Sequence, residues 1–167
     1  MKTYIMVDIE ANGPTPGDYS MTSLGAVIVD EKLDKTFKLN IKPISKNFDP
    51  NRRQFVDSKD AVDAKEAMQK FKDWILKNSS GTPIFISDNN GFDWMFVCWY
   101  FWHFLDENPL GYSSQNLSSL YRGIKRDLDV KIDSLRDKNL THDALEDAKD
   151  NAKIFLKLRK KFFRKVD

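Results

Sequence analysis

The stretch Tyr4-Ile5-Met6-Val7-Asp8-Ile9-Glu10-Ala11-Asn12-Gly13-Pro14 decides how the rest of the chain is read. Tyr4 to Ile9 is a short apolar run, and Asn12-Gly13-Pro14 stops it, so a strand is predicted here. Asp8 and Glu10 stand two apart on that strand. Side chains alternate between the faces of a strand, so both carboxylates point the same way. Two like charges that close repel by about 4 kcal/mol at ~4 Å and an effective dielectric of ~20. A divalent cation offsets that repulsion, and ligands that are all oxygen favour Mg²⁺ or Mn²⁺.

Working outward, Pro16-Gly17-Asp18 is turn chemistry and Leu24 to Val29 is a second β-rich run. Phe37 to Pro43 alternates apolar and polar residues, as a half-buried strand does. Three strands so spaced predict an antiparallel meander. The texture then turns helical. From Asp60 to Lys77, Ala64, Ala67, Met68, Phe71, Trp74 and Ile75 recur at helical spacing, and Ser79-Ser80-Gly81 ends the helix. Pro83 to Ser87 is a nearly continuous apolar run, which suits a buried parallel strand. Asp93 to Leu105 predicts an aromatic-rich helix, and Leu117 to Ile124 a shorter one. Asp143 to Phe163 predicts the last helix, opened by the capping-box pattern of Asp143 and Glu146. Asn47 to Lys59, with its polar and basic Asn51-Arg52-Arg53-Gln54, reads as a loop. The whole is an α/β layout with an initial meander.

Composition sets outer bounds. A chain of 167 residues, 41% hydrophobic and 31% charged, is long enough for one domain with a sizeable core, taken as residues 1–167. Mean hydropathy is −0.55 and no apolar run approaches the length of a membrane span. The early Asp8 argues against a secretory leader, and a cytoplasmic location is expected. The single Cys98 excludes an intramolecular disulfide and a multi-cysteine zinc site. It reads as a buried small hydrophobe, and His103, inside the aromatic helix, reads as structural. The net charge of +2 means that any nucleic acid is held by a local patch rather than by overall charge.

Two further segments carry acids at telling places. Asp93 opens the aromatic helix just past a strand end, where ligands of parallel α/β sheets bind. The ordinary reading is an acid that complements the helix dipole. His142 and Asp147 stand at the start of the last helix, with an ordinary reading as a surface histidine and a helical acid. Together the items read differently. Asp8-Ile9-Glu10, Asn89-x-x-Phe92-Asp93 and His142-x-x-x-x-Asp147 resemble, in order and spacing, the three motifs of the DEDDh 3′–5′ exonucleases. That group includes ribonuclease T, oligoribonuclease and the polymerase proofreading exonucleases. Ser23 to Val27 resembles its second strand and Asp143 to Ala148 its third-motif helix, so the likeness runs from Tyr4 to Leu158.

The resemblance implies a ribonuclease H-like fold, a mixed five-stranded sheet flanked by helices on both faces. It implies stepwise removal of 3′-terminal nucleotides from single strands with two divalent cations, Mg²⁺ or Mn²⁺, per active site. Asp8, Glu10, Asp93 and Asp147 would be the metal ligands, with Asp8 bridging, and His142 the general base. Single-stranded RNA or DNA 3′ ends are the implied partners, with RNA favoured because compact members are often RNA trimmers. A homodimer is also compatible with the family. The alternatives are a single-stranded DNA exonuclease and a non-catalytic nucleic-acid-binding module of the same fold.

The candidates for holding substrate are Ala11, Asn12, Met21, Asn89 and Phe92. The Ala11-Asn12-Gly13 run stands where many members carry Thr-Thr-Gly or Thr-Ser-Gly, so hydroxyl contacts there are lost. Single-strand nucleases also need flat rings for base stacking, which Phe92 and Trp94 beside Asp93 can supply. Leu24, Phe96, Tyr100 and Phe104 read as core. Lys153, Lys157, Arg159, Lys160, Lys161, Arg164 and Lys165 form a basic run, read equally as a phosphate rim or a solvated helix end.

Overall fold

The computed structural model describes residues 1–51, 59–137 and 140–163. The opening meander forms as expected, from β1 (Lys2–Ala11), β2 (Met21–Ile28) and β3 (Thr36–Asn40). Then follow α1 (Ala64–Asn78), β4 (Thr82–Ser87), α2 (Asn90–Leu105), β5 (Ser114–Asn116), α3 (Leu117–Lys125) and α4 (Ala144–Phe162). A 3₁₀ turn, Ile132–Leu135, precedes α4. The five strands lie in the order β3-β2-β1-β4-β5. β1 is central, antiparallel to β2 and parallel to β4, so the sheet is mixed.

Strand alternation sorts the core. Ile5, Val7 and Ile9 of β1 are buried on the face covered by α1 and α2, with Met68, Phe71, Phe96 and Tyr100. Met6 is buried on the opposite face with Leu117, Ala148, Ala152 and Phe155 of α3 and α4. Asp8 and Glu10 share the parity of Met6, so the period-two geometry of the strand delivers them to the α4 face. α2 is apolar nearly all round because its inner face meets the sheet while Trp102 remains 41% exposed.

Some boundaries differ from expectation, each for a physical reason. α1 starts at Ala64 rather than Asp60, because Asp63 is extended at the N-cap. α2 starts at Asn90, three residues before the expected Asp93. β5 carries no apolar alternation; its Ser114 and Gln115 pair with Phe85 and Ile86 through backbone alone. Cys98 is half-buried rather than buried, with the Asn108 amide 3.7 Å from its sulfur. His103 is exposed and stacks on Trp99 at 4.2 Å. Residues 52–58 of the basic loop lie outside the described residues. No helix among those described is long and apolar enough to cross a membrane.

One close approach sets how α4 sits. A Cβ on Gly25 would lie 2.3 Å from the Ala144 carbonyl carbon and the Leu145 nitrogen. Only a glycine in β2 lets the first turn of α4 press onto the sheet there. Lys38, the neighbour of Gly25 on β3, pairs with Asp143, the N-cap of α4. The Asp143 carboxylate also accepts from the Leu145 and Glu146 amides, at 3.1 and 3.3 Å.

Candidate active site

Asp8 lies half-buried on β1, opposite Gly25. Because α4 rests on Gly25, Asp147, in the first turn of α4, is delivered to the same spot. One carboxylate oxygen from each of Asp8, Glu10 and Asp147 lies within 4.8 Å of the other two. A backbone irregularity between Glu10 and Ala11 ends the regular pairing with β2 just past the acids.

Asp93 reaches the group from α2. It is 2% exposed, and its Oδ1 accepts a hydrogen bond from the Ile9 amide at 3.2 Å, between the two β1 acids. Its Oδ2 is buried and accepts none. Burial pushes the Asp93 carboxyl up to about 8; the Asp88 charge adds to this, and the Ser87 and Ile9 interactions offset part of it. The Asp8 carboxyl is also raised well above the usual range, first by burial and then by Asp93, Asp88, Glu10 and Asp147. A buried oxygen without a donor, beside a carboxylate ringed by four others, is a poor arrangement for an empty protein and a good one for hard cations. The donor set, oxygen throughout, fits Mg²⁺ or Mn²⁺.

His142 sits on the segment leading into α4, in the left-handed region at φ 57°. That conformation is costly for a residue with a side chain, by about 1 kcal/mol or more. It is held by Asp147. The His142 amide donates to Asp147 Oδ2 at 2.8 Å, and the Thr141 amide and hydroxyl donate to Oδ1 at 2.8 and 2.9 Å. The imidazole stays 56% exposed, with Nδ1 3.9 Å from Glu10 Oε1. All five motif residues therefore meet at the carboxyl end of β1.

The substrate candidates divide. Asn89 is exposed at the N-cap of α2, its carbonyl accepting from the Phe92 and Asp93 amides. Phe92 is half-buried with its ring 5.1 Å from that of Phe96. Ala11 is 7% exposed at the end of β1. Met21 is fully buried, because β2 starts at Met21 and turns this side chain into the core. Asn12 is engaged within its own loop. Its Oδ1 accepts from the Ser20 amide at 2.7 Å and its Nδ2 donates to the Asn47 carbonyl at 3.1 Å. Those bonds fix the loop and leave the side chain only 6% exposed.

Among the described residues of the basic run, Lys153 pairs with Asp150, Lys157 with Asp137 and Lys160 with Glu31, and Lys161 lies over the Phe162 ring. Arg159 lies over the Tyr4 ring, and Arg164 and Lys165 fall outside the described residues. Sequence reading missed Asp88. Asp88 directly follows β4, and its charge raises the carboxyls of both Asp8 and Asp93. Its signal was an acid just past a strand end. Asp88 Oδ2 accepts from Arg136 Nη2 at 2.6 Å.

Comparison with known proteins gives concordant results. The family model described as the 3′-5′ exoribonuclease Rv2179c-like domain matches residues 3–158. A curated Escherichia coli protein, the 3′-5′ DNA exonuclease Cap18, is 33% identical, covering 91% of this chain and 89% of its own. Among solved structures, the nuclease domain of 3′hExo, a DEDDh family member bound to rAMP, superposes with a TM-score of 0.69 at 16% identity. That match covers 95% of this chain and 92% of the other. Escherichia coli exonuclease I, in complex with a dA16 oligonucleotide, superposes with a TM-score of 0.74 at 13% identity, covering 96% of this chain and 41% of the other. Cell-death related nuclease 4 (CRN-4) reaches 0.72 at 16% identity, covering 95% and 64%. At these identities the structures speak to the fold, which is that of the ribonuclease H-like DEDDh enzymes.

Proposed function

The chain belongs to the 3′-5′ exoribonuclease Rv2179c-like family, and from that premise we propose how its active site works and on what. The protein is a 3′–5′ exonuclease acting on nucleic acid. We assign Asp8, Glu10, Asp93 and Asp147 as the ligands of two divalent cations and His142 as the general base. The observation that carries this is the convergence of Asp8, Glu10 and Asp147 oxygens within 4.8 Å, with Asp93 bonded to the strand between the first two.

When bound, the cations activate the attacking water and stabilise the charge that grows on the departing 3′ oxygen. The rest is done by the chain. Asp8 and Glu10 stand on the central strand, so the position of the scissile phosphodiester is fixed by the most constrained element of the fold. Asp93, buried and tied to Ile9, holds the same group from the α2 side. His142 Nδ1 faces Glu10, which leaves Nε2 to take the proton of the attacking water. As the new P–O bond forms, the bond to the 3′ oxygen breaks, and that oxygen takes its proton from solvent. Asn89 and Phe92, at the mouth of α2, flank the terminal nucleotide.

RNA is the substrate in this reading, in line with the family description. DNA is the second reading, favoured by the DNA-directed activity that names the Escherichia coli relative. Both are tested by incubating end-labelled single-stranded RNA and DNA, with 3′ ends free or blocked, in Mg²⁺ or Mn²⁺. A ladder that shortens only free 3′ ends is expected, faster on RNA. Faster loss of DNA selects the second reading, and intact oligomers that are nevertheless bound would identify a binding module. Homodimerisation, which suits the family, is read by sedimentation of the same sample.

A further inference from the structure

We propose that Phe48 is a stacking surface for a base near the 3′ end of the substrate strand, and that Asn12 holds it in place. The proposal rests on the exonuclease reading above. Phe48 follows β3 and is 50% exposed. A lone apolar side chain at a surface needs no explanation. What sets Phe48 apart is how its backbone is held. The residues on either side of it both bond to Asn12. The Asn47 carbonyl accepts from Asn12 Nδ2 at 3.1 Å, and the Asp49 amide donates to the Asn12 carbonyl at 2.7 Å. Asn12 is closed in turn on Ser20, whose amide donates to Asn12 Oδ1 at 2.7 Å. Ser20 is fully buried, and its Oγ accepts from the Ile44 and Ser45 amides, each at 3.0 Å. The stretch from Ile44 to Asp49 is thereby fastened to the segment that leaves β1.

Asn12 lies two residues past Glu10, a reach of at most ~7 Å along the backbone. The loop that carries Phe48 therefore adjoins the acidic cluster. A ring fixed beforehand gives up little freedom on meeting a base, so less of the stacking energy is lost to ordering. Lys46, exposed two residues earlier, puts a cation beside the ring, where the phosphates of a bound strand would run. Asn12 then has a role in the site: its amide holds the loop, and the loop meets the substrate. Every base has a flat face, so this contact grips RNA and DNA alike and does not choose between them. Trp102 and Tyr112 are also exposed and stack at 6.3 Å. Trp102 lies nine residues beyond Asp93 on α2, about 14 Å along the helix, so that pair stands away from the acids.

The test is a cycle between ring and base. Phe48→Ala removes the ring, Phe48→Leu keeps apolar bulk without a flat face, and Phe48→Trp enlarges the face. Tyr112→Ala is the remote control. Each is compared with wild type on single-stranded oligonucleotides that are intact or abasic at the first, second or third nucleotide from the 3′ end. On intact strands Phe48→Ala and Phe48→Leu should raise KM about tenfold, the size of a lost base–aromatic stack, with kcat and Mn²⁺ affinity within about threefold. Phe48→Trp should match or lower the wild-type KM, and Tyr112→Ala should leave it unchanged. At one abasic position wild type should show the same rise, and Phe48→Ala no further one. Equal abasic penalties in wild type and Phe48→Ala at all three positions overturn the proposal, as does an unchanged KM. A wild-type KM in Phe48→Leu, or weakened Mn²⁺ binding or loss of folding in both small variants, assigns the ring to packing and also overturns it. A 2-aminopurine in a strand with non-hydrolysable linkages reads stacking without turnover. Its fluorescence should be quenched on wild type and Tyr112→Ala and recover on Phe48→Leu. Absence of nuclease activity in the wild type would sink the reading of the site, whereas the fluorescence of the bound strand would still decide whether Phe48 stacks.

Discussion

Gly25 faces Asp8 across β1 and β2, and it is on Gly25 that the first turn of α4 rests. A row of neighbours, Lys38, Gly25 and Asp8, crosses three strands. Lys38 holds the N-cap of α4, Gly25 admits its backbone, and Asp8 receives its carboxylate, Asp147. The acidic cluster is thus assembled from a close approach that no charged residue makes by itself.

Gly25→Ala should therefore injure the site more than the fold. The added methyl meets backbone, which cannot rotate away, so α4 must shift; overpacking of this kind costs about 1–3 kcal/mol. The variant is expected to keep its far-UV circular dichroism, melt a few degrees lower and bind Mn²⁺ at least tenfold more weakly. Wild-type Mn²⁺ affinity in a folded Gly25→Ala would show that α4 is not placed this way.

Much of this was legible beforehand, and the reasons differ by element. The parity of Asp8 and Glu10 follows from strand geometry alone, and the inner faces of α1 and α4 follow from their apolar spacing. β5 was not legible from its own residues, because Ser114 to Asn116 are polar and are recruited by backbone pairing with β4. The start of β2 was read three residues late because turn residues sit so close before Met21. Asp88 escaped because an acid next to Asn89, Asn90 and Gly91 reads as turn chemistry until its effect on Asp8 and Asp93 is known. The pairing of Arg136 with Asp88 spans 48 residues and has no local signature.

Asp8→Asn removes one charge from a ring of five carboxylates. Without metal, it should melt higher than wild type, since burial and four neighbouring acids all oppose the Asp8 charge. With millimolar Mn²⁺ the order should reverse, because a cation that binds only the folded state stabilises the wild type more. Turnover should be lost. A scanning-calorimetry series with and without Mn²⁺ reads both effects, and an Asp8→Asn protein that still gains the full Mn²⁺ shift would remove Asp8 from the ligand set.

The raised carboxyls set a pH dependence whose sign can be worked out. Asp93 titrates at an ordinary 3.8 when unfolded and at about 8 when folded. Between those values the folded protein holds a proton that the unfolded chain has released, so stability without metal falls as pH rises from about 4 to about 8. Raised Asp8 works in the same direction. Cations compete with those protons, so Mn²⁺ affinity should climb over the same window, with protons released on binding. Calorimetry at pH 6.5 in two buffers of different ionisation enthalpy measures that release. Equal heats in both buffers would mean that the carboxyls are already ionised.

His142 allows backbone strain and chemistry to be separated at one position. His142→Ala should lower the rate by roughly 10²–10⁴-fold and leave Mn²⁺ binding intact, since the imidazole moves a proton and holds no cation in this mechanism. His142→Gly should lose the same activity. It should also melt higher than His142→Ala, by about 1 kcal/mol of stability, because φ is 57° and glycine adopts that region without strain. The Asp147 bonds to the Thr141 and His142 backbone survive both changes, so the segment should keep its path. If His142→Ala instead loses its Mn²⁺, the histidine is a ligand and the proton must go elsewhere. If the glycine variant is no more stable than alanine, the left-handed turn is not what Asp147 is holding.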